Sequence, residues 1–285
     1  MKKYLELAQL NEHEILYHYT KCHAVENIFR SHVLFATKSS FLNDTHEMAY
    51  ILHISQEVID EMPEKSWRSL MLRQVVDTME DFKRHDIFVL SFSEERDAIT
   101  LWAEFGEETG YNLGFDGEEL LRTIGDRQKI YCHGRVIYDH QKQLNLIRGL
   151  VRTEIPQKSG GSFETIMQNE IDHPGTAAFQ KYRRRLQAAL NVYATFFKQE
   201  EFQAEKEYRI VFKNPDKSRI LFREKDGFLL PYIQVDLGKK QLLPVKSITV
   251  APKNHVDLAR KGMRQYVELL GYDIPVDLSN LKLRY

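Results

Sequence analysis

Residues 205–237, EKEYRIVFKNPDKSRILFREKDGFLLPYIQVDL, decide the fold class. They read as three strands in succession, 207–213, 218–223 and 228–237, and a fourth follows at 247–251. No helical stretch separates them. Towards the N-terminus, 87–93 (IFVLSFS) reads as a buried strand, and 110–116 (GYNLGFD), 130–138, 16–20 (LYHYT) and 33–37 as further strands. Helical periodicity marks 24–30, 48 to about 83 with a break at Met62-Pro63, 97–105, 144–154 and 256–270. A long helical region at 163–199 divides at His173-Pro174-Gly175, and 155–163 (IPQKSGGSF) is the most loop-like stretch. An extended tail includes 274–276. Strands and helices do not alternate as βαβ units do, so a doubly wound parallel sheet is disfavoured. The expectation is one α+β domain over 1–285, with antiparallel sheets and a helical block at 140–200 inserted or packed alongside.

Composition agrees with a folded chain. Of 285 residues, 42% are hydrophobic, 28% charged and 11% aromatic, which excludes disordered, collagen-like and coiled-coil classes. No apolar run reaches the roughly 18 residues of a membrane-spanning helix. The start, MKKYLELAQLNEHE, has no apolar stretch after its lysines, so no secretory signal is expected. Cys22 and Cys132 alone supply neither a disulfide framework nor a zinc site. A soluble, cytoplasmic protein is expected. The formal net charge of −1 hides an asymmetry: residues 1–179 carry 19 Lys+Arg against 29 Asp+Glu, and residues 180–285 carry 21 against 12. The basic part can draw in phosphate-bearing partners, or the two parts can simply attract each other in the fold.

Four segments can carry chemistry. In a strand over 205–212, Glu205, Glu207 and Arg209 share one face, and Tyr208, Ile210 and Phe212 the other. Two like-charged carboxylates on a strand are costly unless they face water or a ligand. There they can bind ribose hydroxyls or act as general bases. The plainer reading is an edge strand with a solvated charged face and Arg209 pairing a glutamate. His18 and Tyr19 point to opposite faces of the first strand. The histidine can contact a ribose or phosphate, or be a satisfied structural residue. Ser91 and Ser93 share a face at the end of IFVLSFS, where they can fix a ligand or cap the following turn. Lys181, Arg183, Arg184 and Arg185 make one helix locally basic, suited to nucleic-acid phosphates or to a solvated face. Among 11 histidines none forms a metal-binding pattern, so no metal is expected. Neither a hydrolase elbow nor a phosphate loop is present. Asn43, Asp44 and Glu47 in FLNDTHE form a second acidic site or a helix start, with Asp44 or Thr45 as its cap.

Taken in order, LYHYT, FLNDTHE, SFSEERDAITLWAEFGEETGYNLGFD and FQAEKEYRIVF resemble a bacterial family catalogued as domain of unknown function 2971, from about residue 15 to the tail. That arrangement in turn resembles the ADP-ribosyltransferase superfamily, with its split β core around NAD. The resemblance implies that His18 contacts an NAD ribose and that Tyr19 or Tyr17 stacks on nicotinamide. Ser91 or Ser93 would order the nicotinamide side, and Arg209 joins these cofactor-binding residues. It further implies that Glu207 holds the 2′-hydroxyl and stabilises an oxocarbenium-like transition state, while Glu205 orients or deprotonates the acceptor. The function so implied is NAD-dependent ADP-ribosyl transfer, with NAD as substrate and nucleic acid or protein as acceptor. A toxin-like or phage-defence effector with an antitoxin or regulatory partner, and no membrane role, fits that reading. The alternative is a non-catalytic nucleotide- or nucleic-acid-binding module using the same pocket and the basic helix. A third is a metal-dependent nuclease on Asp44, Glu47, Glu205 and Glu207, against which Lys206 faces away from both strand glutamates.

Overall fold

A computed structural model describes residues 9–42, 47–63, 66–79, 86–106, 110–225, 227–239, 241–252 and 255–281. The architecture is mixed α+β, with a mostly antiparallel open sheet. The chain divides into two compact units. One comprises Met1–Phe41, Ile87–Arg135 and Phe202–Tyr285, and the other Leu42–Asp86 and Val136–Glu201.

The strands belong to the first unit: β1 (Ile15–Lys21), β2 (Val33–Lys38), β3 (Ile87–Ser93), β4 (Gly110–Asp116), β5 (Cys132–Arg135), β6 (Glu207–Lys213), β7 (Ile220–Lys225), β8 (Phe228–Asp236), β9 (Val245–Val250) and β10 (Val276–Leu278). The β9–β10 pair is parallel and the other pairs are antiparallel. β3 organises the sheet. One of its edges is taken over its whole length by β6, from Ile87↔Lys213 to Ser93↔Glu207. The other edge is shared: β1 meets it only at Tyr17↔Ser93, and β2 only at Thr37↔Val89 and Lys38↔Phe88. Beyond those pairs the two branches, β1–β4–β9–β10 and β2–β8–β7, part from β3 as the tines of a fork.

Period-two alternation sorts side chains onto the two faces. Phe88, Leu90 and Phe92 of β3 join Tyr208, Ile210 and Phe212 of β6, Leu16 of β1 and Leu113 and Phe115 of β4 in one core. Helices Cys22–Ser31, Gly117–Gly125 and Val256–Leu269 add Val25, Ile28, Phe29, Leu120, Ile124, Met263 and Val267 to it. Each such side chain contributes about 1.5–3 kcal/mol on full burial, so this layer sets the strand register.

The second unit is helical. Helices Glu47–Asp60, Trp67–Thr78, His140–Gly149, Ile155–Ser159, Phe163–Asp172 and Ala177–Tyr193 build it, with one wide π turn at Leu150–Glu154. Ser66, Asp139, Ser162 and Thr176 each accept a backbone N–H at a helix start. Such caps satisfy donors that the helix itself leaves unpaired. Arg148 pairs with Glu61, and His140 Nε2 lies 2.9 Å from Glu57.

Several expectations need correction. Residues 205–212 are not one strand: a 3-10 turn spans Glu200–Glu205, Lys206 adopts φ 42°, and β6 begins at Glu207. Nor is β6 an edge strand, since β3 and β5 flank it. The strand at 130–138 shrinks to Cys132–Arg135. Residues 97–105 form only a short helix, Ile99–Leu101, continued by a π turn at Trp102–Gly106. The loop at 155–163 contains helix Ile155–Ser159, and helix Gly117–Gly125 was not anticipated. Asn43, Asp44 and Thr45, with the Glu47 side chain, lie outside the described residues.

Candidate functional site

The fork gathers the polar side chains that the strand pattern singled out. Ser93 lies opposite Glu207, and Ser91 opposite Arg209, so these four share the face away from the main core. Tyr17 is on that face too, through its pairing with Ser93. Glu207 and Arg209 are both buried, and Arg209 Nη2 donates to Glu207 Oε2 at 2.6 Å. Residues i and i+2 of a strand point the same way, so the sequence places this pair side by side. A carboxylate so held is fixed in orientation, because the guanidinium is planar and its donors are rigid.

Ser93 shapes the turn that leads into β6. Its hydroxyl donates to the Glu205 carbonyl at 2.7 Å and accepts from the Glu95 N–H at 2.9 Å. The Glu94 N–H donates to the Lys206 carbonyl, and Lys206 Nζ pairs with Glu95 at 2.7 Å. These contacts hold Lys206 in its left-handed conformation, which costs a non-glycine residue about 1 kcal/mol. They also put Glu205 on a half-buried turn beside the end of β3 rather than on the strand.

His18 stands at the parting of β1 and β3. Its Nδ1 lies 3.3 Å from the Ser91 carbonyl, spanning the gap where the ladder has stopped. Its ring lies 5.6 Å from Phe92, on the core face opposite Glu207. Burial holds the imidazole below the ordinary histidine range. The Ser91 carbonyl opposes that shift, and the charge of Arg223 adds to it. A carbonyl oxygen only accepts, so Nδ1 carries the proton and Nε2 of the neutral ring is an acceptor.

Tyr17 and Tyr19 differ. Tyr17 is half-buried and burial raises its phenol pKa. Gly114, opposite it on β4, leaves room for the ring: a Cβ there would meet Tyr17 Cε1 at 3.1 Å and Ser247 Oγ at 2.5 Å. Tyr19 is packed edge-on against Trp102, centroids 4.8 Å apart. Its hydroxyl donates to the Glu95 carbonyl at 2.7 Å and accepts from the Ala98 N–H at 3.0 Å.

The remaining basic residues belong to the helical unit. On helix Ala177–Tyr193, Lys181 and Arg184 are exposed, and Arg183 and Arg185 half-buried. Among the described residues, no three His, Cys, Asp or Glu side chains converge as a metal site would require. No helix among them is long and apolar enough to cross a membrane. Sequence reading missed Phe35, Arg223 and Tyr232, which come together from β2, β7 and β8. Nothing in their local sequence marks them, because the cluster exists only once the strands pair.

Residues 101–210 match a family model. Its description is Protein of unknown function (DUF2971). The matched stretch, about two-fifths of the chain, takes in Trp102, β4, the turn at Glu205 and both Glu207 and Arg209, and stops short of His18 and Ser93. No curated protein and no solved structure matches the chain.

Proposed function

We propose that the protein transfers ADP-ribose from NAD, with the nicotinamide ribose seated in the fork between β1 and β3. The observation that carries this reading is the buried Glu207–Arg209 pair beside Ser93 and Tyr17, at the point where β1 leaves β3. A ligand lying on one face would reach either His18 or Glu207. In this reading the ligand enters the split to reach both.

In this reading Glu207, oriented by Arg209, holds the ribose 2′-hydroxyl. As the bond from C1′ to the nicotinamide nitrogen breaks, positive charge develops at C1′, and the fixed carboxylate stabilises it. Nicotinamide departs with the electron pair. An acceptor nucleophile then bonds to C1′ and gives its proton to Glu205. Neutral His18 accepts a hydrogen bond from a second ribose hydroxyl through Nε2. Tyr17 stacks on the nicotinamide ring, a task for which Tyr19 is already engaged elsewhere. The acceptor is a nucleic acid or protein.

The test is incubation of purified protein with NAD labelled in the adenylate, alone and with cell extract. Label moving to a macromolecule with nicotinamide release, both lost in Glu207→Gln, is the expected result. Because Glu207 is buried against Arg209, the variant's unfolding midpoint is measured in parallel. Intact NAD under every condition, with a folded wild-type protein, would reject the reading in favour of a binding module.

A further inference from the structure

The second tine of the fork carries a cation that no carboxylate among the described residues pairs. Thr37 pairs with Tyr232 and Phe35 with Gln234 across β2 and β8, and Leu221 pairs with Tyr232 across β8 and β7. Alternation therefore puts Phe35, Tyr232 and Arg223 on one face. The Phe35 and Tyr232 rings lie 4.4 Å apart, and the Arg223 guanidinium carbon sits 5.6 and 5.8 Å from their centroids. Among the described residues Arg223 has no carboxylate within ion-pair distance and makes no hydrogen bond. Lys225 shares its face, whereas Glu224 points the other way and accepts from the Gly227 N–H.

Such a guanidinium is flanked by rings, charged and, among the described residues, free of an ion-pair partner. Attraction to the ring faces holds the guanidinium nearby without consuming its N–H groups. Phosphate oxygens are the acceptors that this geometry matches in pairs. Phe35 remains 38% exposed, so a ligand can approach beside the platform. Phe35 stands two residues before Thr37, where β2 leaves β3, so the platform flanks the split.

We propose that Arg223, braced by Phe35 and Tyr232, anchors the diphosphate of the nucleotide whose ribose occupies the fork. This rests on the transfer reading above for its choice of nucleotide, and the test separates the two. Binding of ADP and of adenosine is measured by calorimetry for wild type, Arg223→Ala and Arg223→Lys, and nicotinamide release from NAD is followed in the same preparations. Arg223 is exposed on an edge strand, so both variants should keep the wild-type unfolding midpoint.

The expected result is ADP affinity weakened about tenfold or more in Arg223→Ala, intermediate in Arg223→Lys and falling with salt. Adenosine, which lacks phosphates, should bind all three alike. Equal ADP affinity in wild type and Arg223→Ala would overturn the anchor. So would the absence of saturable ADP binding by wild type at millimolar concentration. Nicotinamide release alongside either negative result would leave the transfer reading standing. Loss of ADP affinity in Arg223→Ala with no release by any form would keep the anchor and reject transfer.

Discussion

Removing one partner of the Glu207–Arg209 pair should be among the most destabilising changes in the sheet. Arg209 is 1% exposed and Glu207 7% exposed, with donor and acceptor 2.6 Å apart. Breaking a buried pair by deleting one member typically costs about 3–5 kcal/mol, because the charge left behind has lost both water and its counter-ion. Arg209→Met should fall in that range. Glu207→Gln keeps an oxygen acceptor for the guanidinium and should cost less, on the order of 1–3 kcal/mol. The double variant Glu207→Leu/Arg209→Met removes both charges, so it should cost clearly less than the sum of its singles. For a chain of this size each kcal/mol corresponds to roughly 2–4 °C, so Arg209→Met should lower the melting temperature by about 6–20 °C. Urea titration at neutral pH supplies the free energies of the cycle. Singles costing under about 1 kcal/mol each, and adding without coupling, would mean that the pair is solvated and the burial argument wrong.

Two further outcomes follow from neighbouring residues of β1, on opposite faces of the sheet. Tyr19→Phe leaves the Ala98 N–H and the Glu95 carbonyl without their shared partner, so urea unfolding should report a loss of about 1–3 kcal/mol; wild-type stability would show that the hydroxyl is not buried. His18 has a folded-state pKa below its unfolded value of about 6.5, so the native state binds fewer protons. Its contribution is then complete above that pH and is lost as pH falls through it towards the folded value. Stability measured from pH 8 to 5 should therefore decline more steeply for wild type than for His18→Asn, and parallel profiles would contradict this.

Much of this layout was legible in the sequence. IFVLSFS, LYHYT and GYNLGFD declare strands because aromatic and branched residues cluster in short runs, and all three lie where expected. The EYRIVFK strand likewise shows its apolar face of Tyr208, Ile210 and Phe212. The glutamate pair was harder. Alternation predicts a shared face for Glu205 and Glu207, but hydrogen bonds from Ser93 and Glu94, far away in sequence, pin a turn at Glu205–Lys206 instead. IPQKSGGSF reads as loop because proline and glycine dominate it. Yet Pro156 sits at the start of a helix, where its missing N–H is no loss, and Gly160 ends that helix at φ 126°. Helix Gly117–Gly125 is likewise bounded by glycines that mask the apolar positions Leu120 and Ile124. The Arg223 platform was invisible for a different reason: its three residues come from positions 35, 223 and 232, and only tertiary pairing makes them neighbours.

The shared edge of β3 has a consequence for biosynthesis. When β3 leaves the ribosome, the strand that will cover its other edge has not been made, since β6 begins at Glu207. β2 likewise waits for β8 and residues up to Asp236 before it gains its second neighbour. Through most of translation the nascent chain therefore presents two apolar strands with unpaired backbone groups, the kind of edge on which chains aggregate. The helical unit, whose last segment closes at Glu201, has all its residues before β6 appears. It can collapse first, while the sheet depends on its C-terminal third or on a chaperone holding the open strands until that third arrives.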